Sequence, residues 1–145
     1  MLRWRRIASV AEFDLLWPLL ADAVGRADAE RQASLRDRYL DLPDHRLYAV
    51  DDAGSGIGVI GVRMQGGAPH EGEIVHIAVR RDCRGKGYGR LILQGLAELE
   101  SSVETWTAET DDDALGFYQA LGFRTEDLGE RYPGVRRYRC SLQAK

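Results

Sequence analysis

Cysteine is scarce in this chain: Cys83 and Cys140 are the only two in 145 residues. There is no CxxC pair, and no histidine stands at ligand spacing from either, which argues against a disulfide framework or a zinc site. Long apolar runs are missing as well. Without a stretch of about 18 apolar residues, no membrane span is expected. The opening Met1-Leu-Arg-Trp-Arg-Arg-Ile7 has no apolar signal core, which predicts a cytoplasmic address. An excess of positive charge is also absent. The net charge of −3 speaks against a general nucleic-acid binder. No internal repeat or low-complexity linker interrupts the chain, so residues 1–145 are expected to form one domain with a single real core.

The 44% hydrophobic and 30% charged fractions suit a soluble globule. The cations gather in one place. His76-Ile-Ala-Val79 reads as an apolar strand, Arg80 to Gly89 as a basic, Gly-rich turn, and the following residues as an amphipathic helix. Gly85, Gly87 and Gly89 let the backbone bend tightly and approach a ligand. The free N–H groups at the start of the next helix attract anions. Arg80, Arg81, Arg84, Lys86 and Arg90 add charge at the same point, so the segment reads as a pyrophosphate cradle. Cys83 lies in this turn, where the choice is between a reactive thiol and a plain loop residue.

Two familiar phosphate loops fail on the letters. A P-loop needs Ser or Thr after Gly-Lys, and Lys86 is followed by Gly87. The dinucleotide fingerprint needs a third glycine where Arg90 stands, and it should follow the first strand rather than fall in mid-chain. A third pattern fits. Arg84-Gly-Lys-Gly87-Tyr-Gly89 resembles Arg/Gln-x-x-Gly-x-Gly/Ala, the acyl-CoA pyrophosphate loop of the GNAT superfamily of N-acetyltransferases. Asp111-Asp-Asp-Ala114-Leu-Gly-Phe-Tyr118-Gln-Ala-Leu-Gly122-Phe123 is similar to a second segment of that family, with Asp111 where Asn is usual. The resemblance runs from about Glu73 to Phe123; before that it is one of layout.

Read in order, Leu2 to Ile7 is a short strand. Ser9-Val-Ala-Glu12 is a capping box that starts a helix, with Phe13, Leu16, Trp17 and Leu20 at helical spacing. Pro18 should kink or split it. Asp28 can cap a second helix, from about Ala29 to Leu40, that buries Leu35, Tyr39 and Leu40. Leu47–Val50 and Ile57–Met64 form a hairpin. Gly66–Pro69 reverses the chain into a third strand, Glu71–Val79, whose apolar run suggests burial on both faces. Gly87–Glu100 is a helix with Ile92, Leu96 and Leu99 on one face. Val103–Ala108 is a strand parallel to Glu71–Val79, because a helix joins them. Asp111 or Asp112 caps the next helix, with Ala114, Phe117, Tyr118 and Leu121 along one side, and Gly122 is placed for a left-handed C-cap. Arg124–Leu128 and Arg136–Ser141 are a final pair of strands around Gly129–Gly134. The order is β-αα-βββ-α-β-α-β-β, an α/β (α+β) mixed sheet with helices on both faces. The resemblance implies the GNAT fold, in which strands four and five splay near a bulge and acyl-CoA enters the gap.

The resemblance also implies an activity: transfer of an acetyl group from acetyl-CoA to a primary amine by direct attack. The CoA contacts would come from Ile77, Ala78 and Val79, along the pantetheine arm. The phosphates would fall to the backbone of Arg84, Gly85, Lys86, Gly87, Tyr88, Gly89 and Arg90. Tyr118 stands where the family keeps the general acid for the departing sulfur, against the plainer reading of a packed aromatic. Glu73 falls where histone-acetylating members carry a glutamate base, against a strand glutamate paired with arginine or solvent. His76, Glu109 and water stay open as bases, with His76 read more readily as a satisfied core histidine. Asp111 to Asp113 is a helix N-terminal acid cluster. Arg131, Tyr132, Arg136 and Arg137 lie where the family's last hairpin often covers the acceptor; they could recognise a carboxylate or form a solvated face. A non-catalytic acyl-CoA sensor is the second reading. Neither nucleic acid nor membrane is an expected partner, and a homodimer through the last strands is possible.

Overall fold

A computed structural model describes residues 2–66 and 70–144. Within it, a seven-stranded mixed sheet carries helices on both faces. The strands are β1 (Leu2–Arg6), β2 (His45–Asp52), β3 (Ser55–Gln65), β4 (Glu71–Val79), β5 (Thr105–Thr110), β6 (Arg124–Tyr132) and β7 (Val135–Gln143). The helices are α1 (Val10–Leu20), α2 (Ala29–Asp41), α3 (Tyr88–Leu99) and α4 (Asp112–Ala120). The sheet order is β1-β2-β3-β4-β5-β7-β6. All neighbours are antiparallel except β4 and β5. The element order matches the sequence reading. The reversal expected at Gly66–Pro69 falls largely on residues 67–69, outside the described residues.

Local chemistry explains the helix starts. Ser9 Oγ accepts from Glu12 N–H at 3.2 Å and donates to Glu12 Oε1 at 3.1 Å, while that carboxylate accepts from Ala8 N–H at 3.4 Å, one residue before the N-cap position a capping box would use. Asp28 accepts from Arg31 N–H at 2.8 Å. Asp111 accepts from Asp113 and Ala114 N–H at 3.1 and 3.2 Å, so Asp in place of Asn keeps the α4 cap. Pro18 does not split α1. The helix runs through it to Leu20 and then tightens into a 3-10 turn at Ala21–Ala23. The last hairpin is longer than expected. Gly129, at φ +82, sits inside β6 at a register shift, so the turn itself is only Pro133–Gly134.

Strand alternation sorts the core into two layers. Leu47, Ala49, Val59 and Ala78 face α1 and α2, where they meet Phe13, Leu20, Leu35 and Tyr39. Tyr48, Val50, Ile60 and Val62 face the other way, toward Ile92, Leu96, Tyr118 and Phe123. β4 alternates buried and half-buried residues along its whole length, consistent with cover on both faces. Leu99 departs from expectation: it is 47% exposed, because the buried stripe of α3 runs through Ile92, Leu96 and Glu100 at four-residue spacing and Leu99 lies to one side of it. Glu100, just past the end of α3, is buried instead. It accepts from Arg46 at 2.6 and 2.7 Å and from Tyr48 Oη at 2.7 Å, tying α3 to β2.

Two irregularities make the site. Val75 is an extra residue in β4, since Gly61 pairs with His76 but Val62 pairs with Ile74. Beyond this bulge β4 and β5 part. They pair only from Glu71–Glu73 to Thr105–Thr107, while β5 stays paired with β7 along its whole length. The mixed sheet is thus open at its one parallel pair, between β4 and β5.

Candidate active site

The open gap leads into a cavity of about 1590 Å³. On one wall, β4 presents its unpaired edge. Arg80 N–H donates to Ile57 O on β3 at 2.8 Å, while Arg84 Nε reaches Val79 O from the opposite side at 2.9 Å. The N–H and C=O of one strand residue point to the same side, so those of Val79 and Ile77 face the gap. Ala78 lies between them and turns its backbone to Val59 on β3, leaving only its two neighbours to offer hydrogen bonds.

At the end of β4 the chain makes a 3-10 turn, Arg81–Cys83, and enters the Gly-rich loop. Gly85 and Gly87 have φ of +77 and +83, left-handed values that side chains with a Cβ resist. Added Cβ atoms would meet nothing within 4 Å at either residue, so backbone conformation alone is what demands glycine. The kink aims the first N–H groups of α3 into the cavity. Gly89 serves differently: a Cβ there would come within 2.6 Å of the Phe117 ring, so it lets α3 pack against α4.

The loop cations are less concentrated on a ligand than the sequence suggests. Arg80 pairs with Asp82 at 2.7 Å. Arg84 holds Val79 O and approaches Asp22 at 3.7 Å. Arg90 Nη2 donates to Ala120 O at the end of α4, at 3.0 Å. Lys86 alone of the five has no ion partner or side-chain hydrogen bond among the described residues. Tyr88 Oη donates to Asp52 at 2.7 Å and pins the start of α3 to the end of β2. Cys83 is buried with its Sγ 3.6 Å from Asp82, the setting of a structural loop residue.

Tyr118 lines the opposite wall. Its ring sits edge-on to Phe117 and Phe123, each at 5.2 Å between centroids. Its hydroxyl has no hydrogen-bond partner among the described residues. Burial pushes its pKa up to about 12, so the phenol keeps its proton. It is a packed aromatic and a protonated donor at once.

The bulge decides where the candidate bases go. Glu73 and His76 are three apart and would lie on opposite faces of a regular strand. The extra residue puts both on the α2 side. His76 Nδ1 lies 2.6 Å from Tyr39 Oη, and Tyr39 reaches it by passing over Gly61, where a Cβ would collide with the phenol. Burial raises the Tyr39 pKa, so it keeps its proton. A protonated Tyr39 hydroxyl can donate to Nδ1, which would leave the ring proton on Nε2. His76 is buried and hydrogen-bonded to Tyr39, the setting expected of a core histidine.

Burial, helped by the charges of Arg31 and Arg38, lowers the His76 pKa from 6.5 to about 4. Between those values the unfolded chain binds the proton and the folded chain does not. Stability is complete above pH 6.5 and falls as pH drops toward 4. By pH 5 the expected loss is about 2 kcal/mol relative to pH 7.5. Urea midpoints at the two pH values measure it, and His76→Gln should shrink the difference by more than half. Equal losses in wild type and variant would remove His76 as the cause.

Glu73 lines the cavity, with its carboxylate 2.9 Å from Arg63 Nη2. Glu109 is exposed on the same side, at the cavity mouth. Of the last hairpin, Arg136 is taken by Asp127 at 2.8 and 2.9 Å and does not reach the cavity. Arg137 and Tyr132 do line it. Arg31, on α2, lines it too. Nothing in the sequence singled it out, because helical spacing does not reveal which polar side of α2 overhangs the gap. Among the described residues no group of His, Cys, Asp and Glu could hold a metal ion. No described helix is long and apolar enough to cross a membrane.

A mixed sheet split between β4 and β5, with a left-handed Gly loop at the helix start beside the gap, places the chain in the GNAT fold class. The model of the Acetyltransferase (GNAT) family matches residues 11–123, and the chain belongs to that family. Among solved structures, a GNAT-family protein from Desulfovibrio desulfuricans covers 100% of both chains, with a TM-score of 0.79 at 17% identity. The spermidine N-acetyltransferase of Vibrio cholerae, solved with CoA and spermine, covers 99% of this chain and 95% of its own, with a TM-score of 0.77 at 15% identity. At such identities the likeness is one of fold. In sequence, the peptidyl-lysine N-acetyltransferase YjaB of Escherichia coli is 33% identical over 58 residues, which is 36% of this chain and 40% of that protein. The Salmonella typhimurium YjaB matches over the same lengths. The match thus spans about two fifths of these relatives' length.

Proposed function

We propose that this chain transfers the acetyl group of acetyl-CoA to a primary amine within a ternary complex. The observation that carries this reading is the gap between β4 and β5, with unpaired strand amides on one wall and the Tyr118 hydroxyl on the other. The residues present fit the cosubstrate. Ile77 and Val79 offer an extended peptide-like edge to the pantetheine arm. The backbone N–H groups of the loop from Arg84 to Arg90, set by Gly85 and Gly87, suit a diphosphate, and no acid pairs with Lys86 among the described residues. When bound, acetyl-CoA supplies an activated carbonyl on a thiol leaving group.

The rest falls to the chain. The Val79 N–H faces the position where charge builds on the carbonyl oxygen. Glu73, directly or through a water, takes a proton from the amine as the new C–N bond forms. Tyr118 gives its proton to the sulfur as the C–S bond breaks, and is reprotonated from solvent. The protonated phenol facing the cavity favours this reading over a non-catalytic sensor. The relatives named above act on or bind amines, a peptidyl-lysine and spermine, and an amine acceptor is carried over here at that level only.

The test is release of free thiol from acetyl-CoA across a panel of small amines, amino acids and lysine peptides. Turnover that depends on the amine is expected; binding of acetyl-CoA with no thiol released on any amine would leave the sensor. Glu73→Gln should lower kcat by about 10²–10⁴-fold, the range typical of a lost general base, with acetyl-CoA affinity kept. Wild-type kcat in the variant, with amine saturating, would remove Glu73 as the base.

A further inference from the structure

The acceptor end of the cavity carries cations that the fold does not use. Strand alternation places Glu73, Glu109, Arg137 and Arg139 on the same side of the sheet as α1 and α2. One of the acids there is already balanced: Glu73 is held by Arg63 at 2.9 Å. Glu109 stands across from Arg139 in the β5–β7 register, with no ion pair between the two among the described residues. Arg31 and Arg137 remain. Both line the cavity, both are half-buried, and neither has an ion partner among the described residues. Arg31 lies close enough to His76 that its charge lowers the histidine's pKa. Arg137 extends past the end of β5, where with Arg131, Tyr132 and Glu109 it frames a side chamber of about 340 Å³.

This pair is separate from the phosphate loop. His76 precedes Val79 by three residues, roughly 10 Å of strand, and the loop begins only after that. Half-burying a guanidinium without a counter-ion costs free energy, and a carboxylate offered in a bidentate pose recovers it. A polycationic amine would meet the opposite: two like charges at the wall of the site.

We infer that the acceptor is an amine bearing a carboxylate within a few bonds of its nitrogen, with Arg31 and Arg137 gripping that carboxylate. The inference rests on the acyltransfer reading above and names its substrate class. The carboxylate can come from a free amino acid or from an acidic residue beside a lysine or N-terminus in a peptide.

Matched pairs test it: alanine against alaninamide, a lysine peptide flanked by aspartate against the same peptide with asparagine, and spermidine as the polycation. Thiol release and calorimetry on the CoA-loaded full chain are read for each. The acid member of a pair should show kcat/KM roughly tenfold or more above its amide, mostly through KM, with spermidine poorest. The pair showing the larger ratio identifies the free or the peptide source. Arg31→Gln and Arg137→Gln should each bring the ratio to within about twofold, whereas exposed Arg5→Gln should preserve it. Thiol release with equal or better turnover on the amides or on spermidine would overturn the carboxylate and leave acyltransfer standing. Tighter calorimetric binding of the acids with no thiol released would support the arginine site and overturn catalysis instead.

Discussion

Tyr118→Phe should lower turnover at least tenfold, toward the ~10²–10⁴ range that general acids typically supply. Acetyl-CoA binding should change by no more than about twofold, because in the proposed mechanism the lost atom meets only the reacting sulfur, not the phosphates or the strand edge. The structure makes this a clean substitution. The Tyr118 hydroxyl has no hydrogen-bond partner among the described residues, so its loss orphans nothing. The ring's edge-on contacts with Phe117 and Phe123 are those a phenylalanine would keep. Thermal stability should therefore hold or rise. A pKa near 12 also means the hydroxyl stays protonated across any practical assay range, so no alkaline limb below pH 10 should belong to it. Wild-type turnover in the variant, with amine saturating, would reduce Tyr118 to a packed aromatic.

The second large effect is on binding. Gly87→Val should weaken acetyl-CoA by about 100-fold, the scale of losing two charge-assisted hydrogen bonds. Gly87 sits at φ +83 immediately before α3, in open space. A β-branched residue there is strained by about 1–2 kcal/mol, and the loop can relieve that by rotating back to negative φ. Rotation swings the first N–H groups of α3 off the diphosphate while leaving the buried face of the helix, Ile92 and Leu96, in place. The melting temperature should then fall by only a few degrees, as a surface strain of that size implies. Gly116→Ala in α4, also in open space but not at a left-handed φ, is the matched control and should bind normally. Calorimetry with acetyl-CoA separates the two; equal affinity in Gly87→Val and wild type would mean that the loop amides do not hold the phosphates.

Several parts of this site were legible in the letters because they are local. The Ser9, Asp28 and Asp111 caps and the left-handed glycines each depend on a few neighbouring residues. The apolar run of Glu71–Val79 gave β4 its observed bounds. Charge proved a poorer guide: five cations near one loop read as a phosphate site, but Arg80 and Arg90 turned out to serve Asp82 and Ala120. A long side chain chooses its partner from whatever the fold brings within reach, and spacing along the chain does not record that choice. The partner of His76 was hidden for the same reason, since Tyr39 lies 37 residues away on another element.

By itself, the sequence determined the element order, the Gly loop at the head of α3 and a tyrosine on the helix after β5, because each follows from short-range sterics and hydrogen bonding. Only the tertiary structure decided that β4 carries an extra residue at Val75, that β4 and β5 pair for three residues and then separate, and that Arg31 and Arg137 from distant segments overlook the opening. Those outcomes depend on how strands register against their neighbours and on which helix covers which face. They are settled by packing across the whole sheet, and no window of the chain contains them.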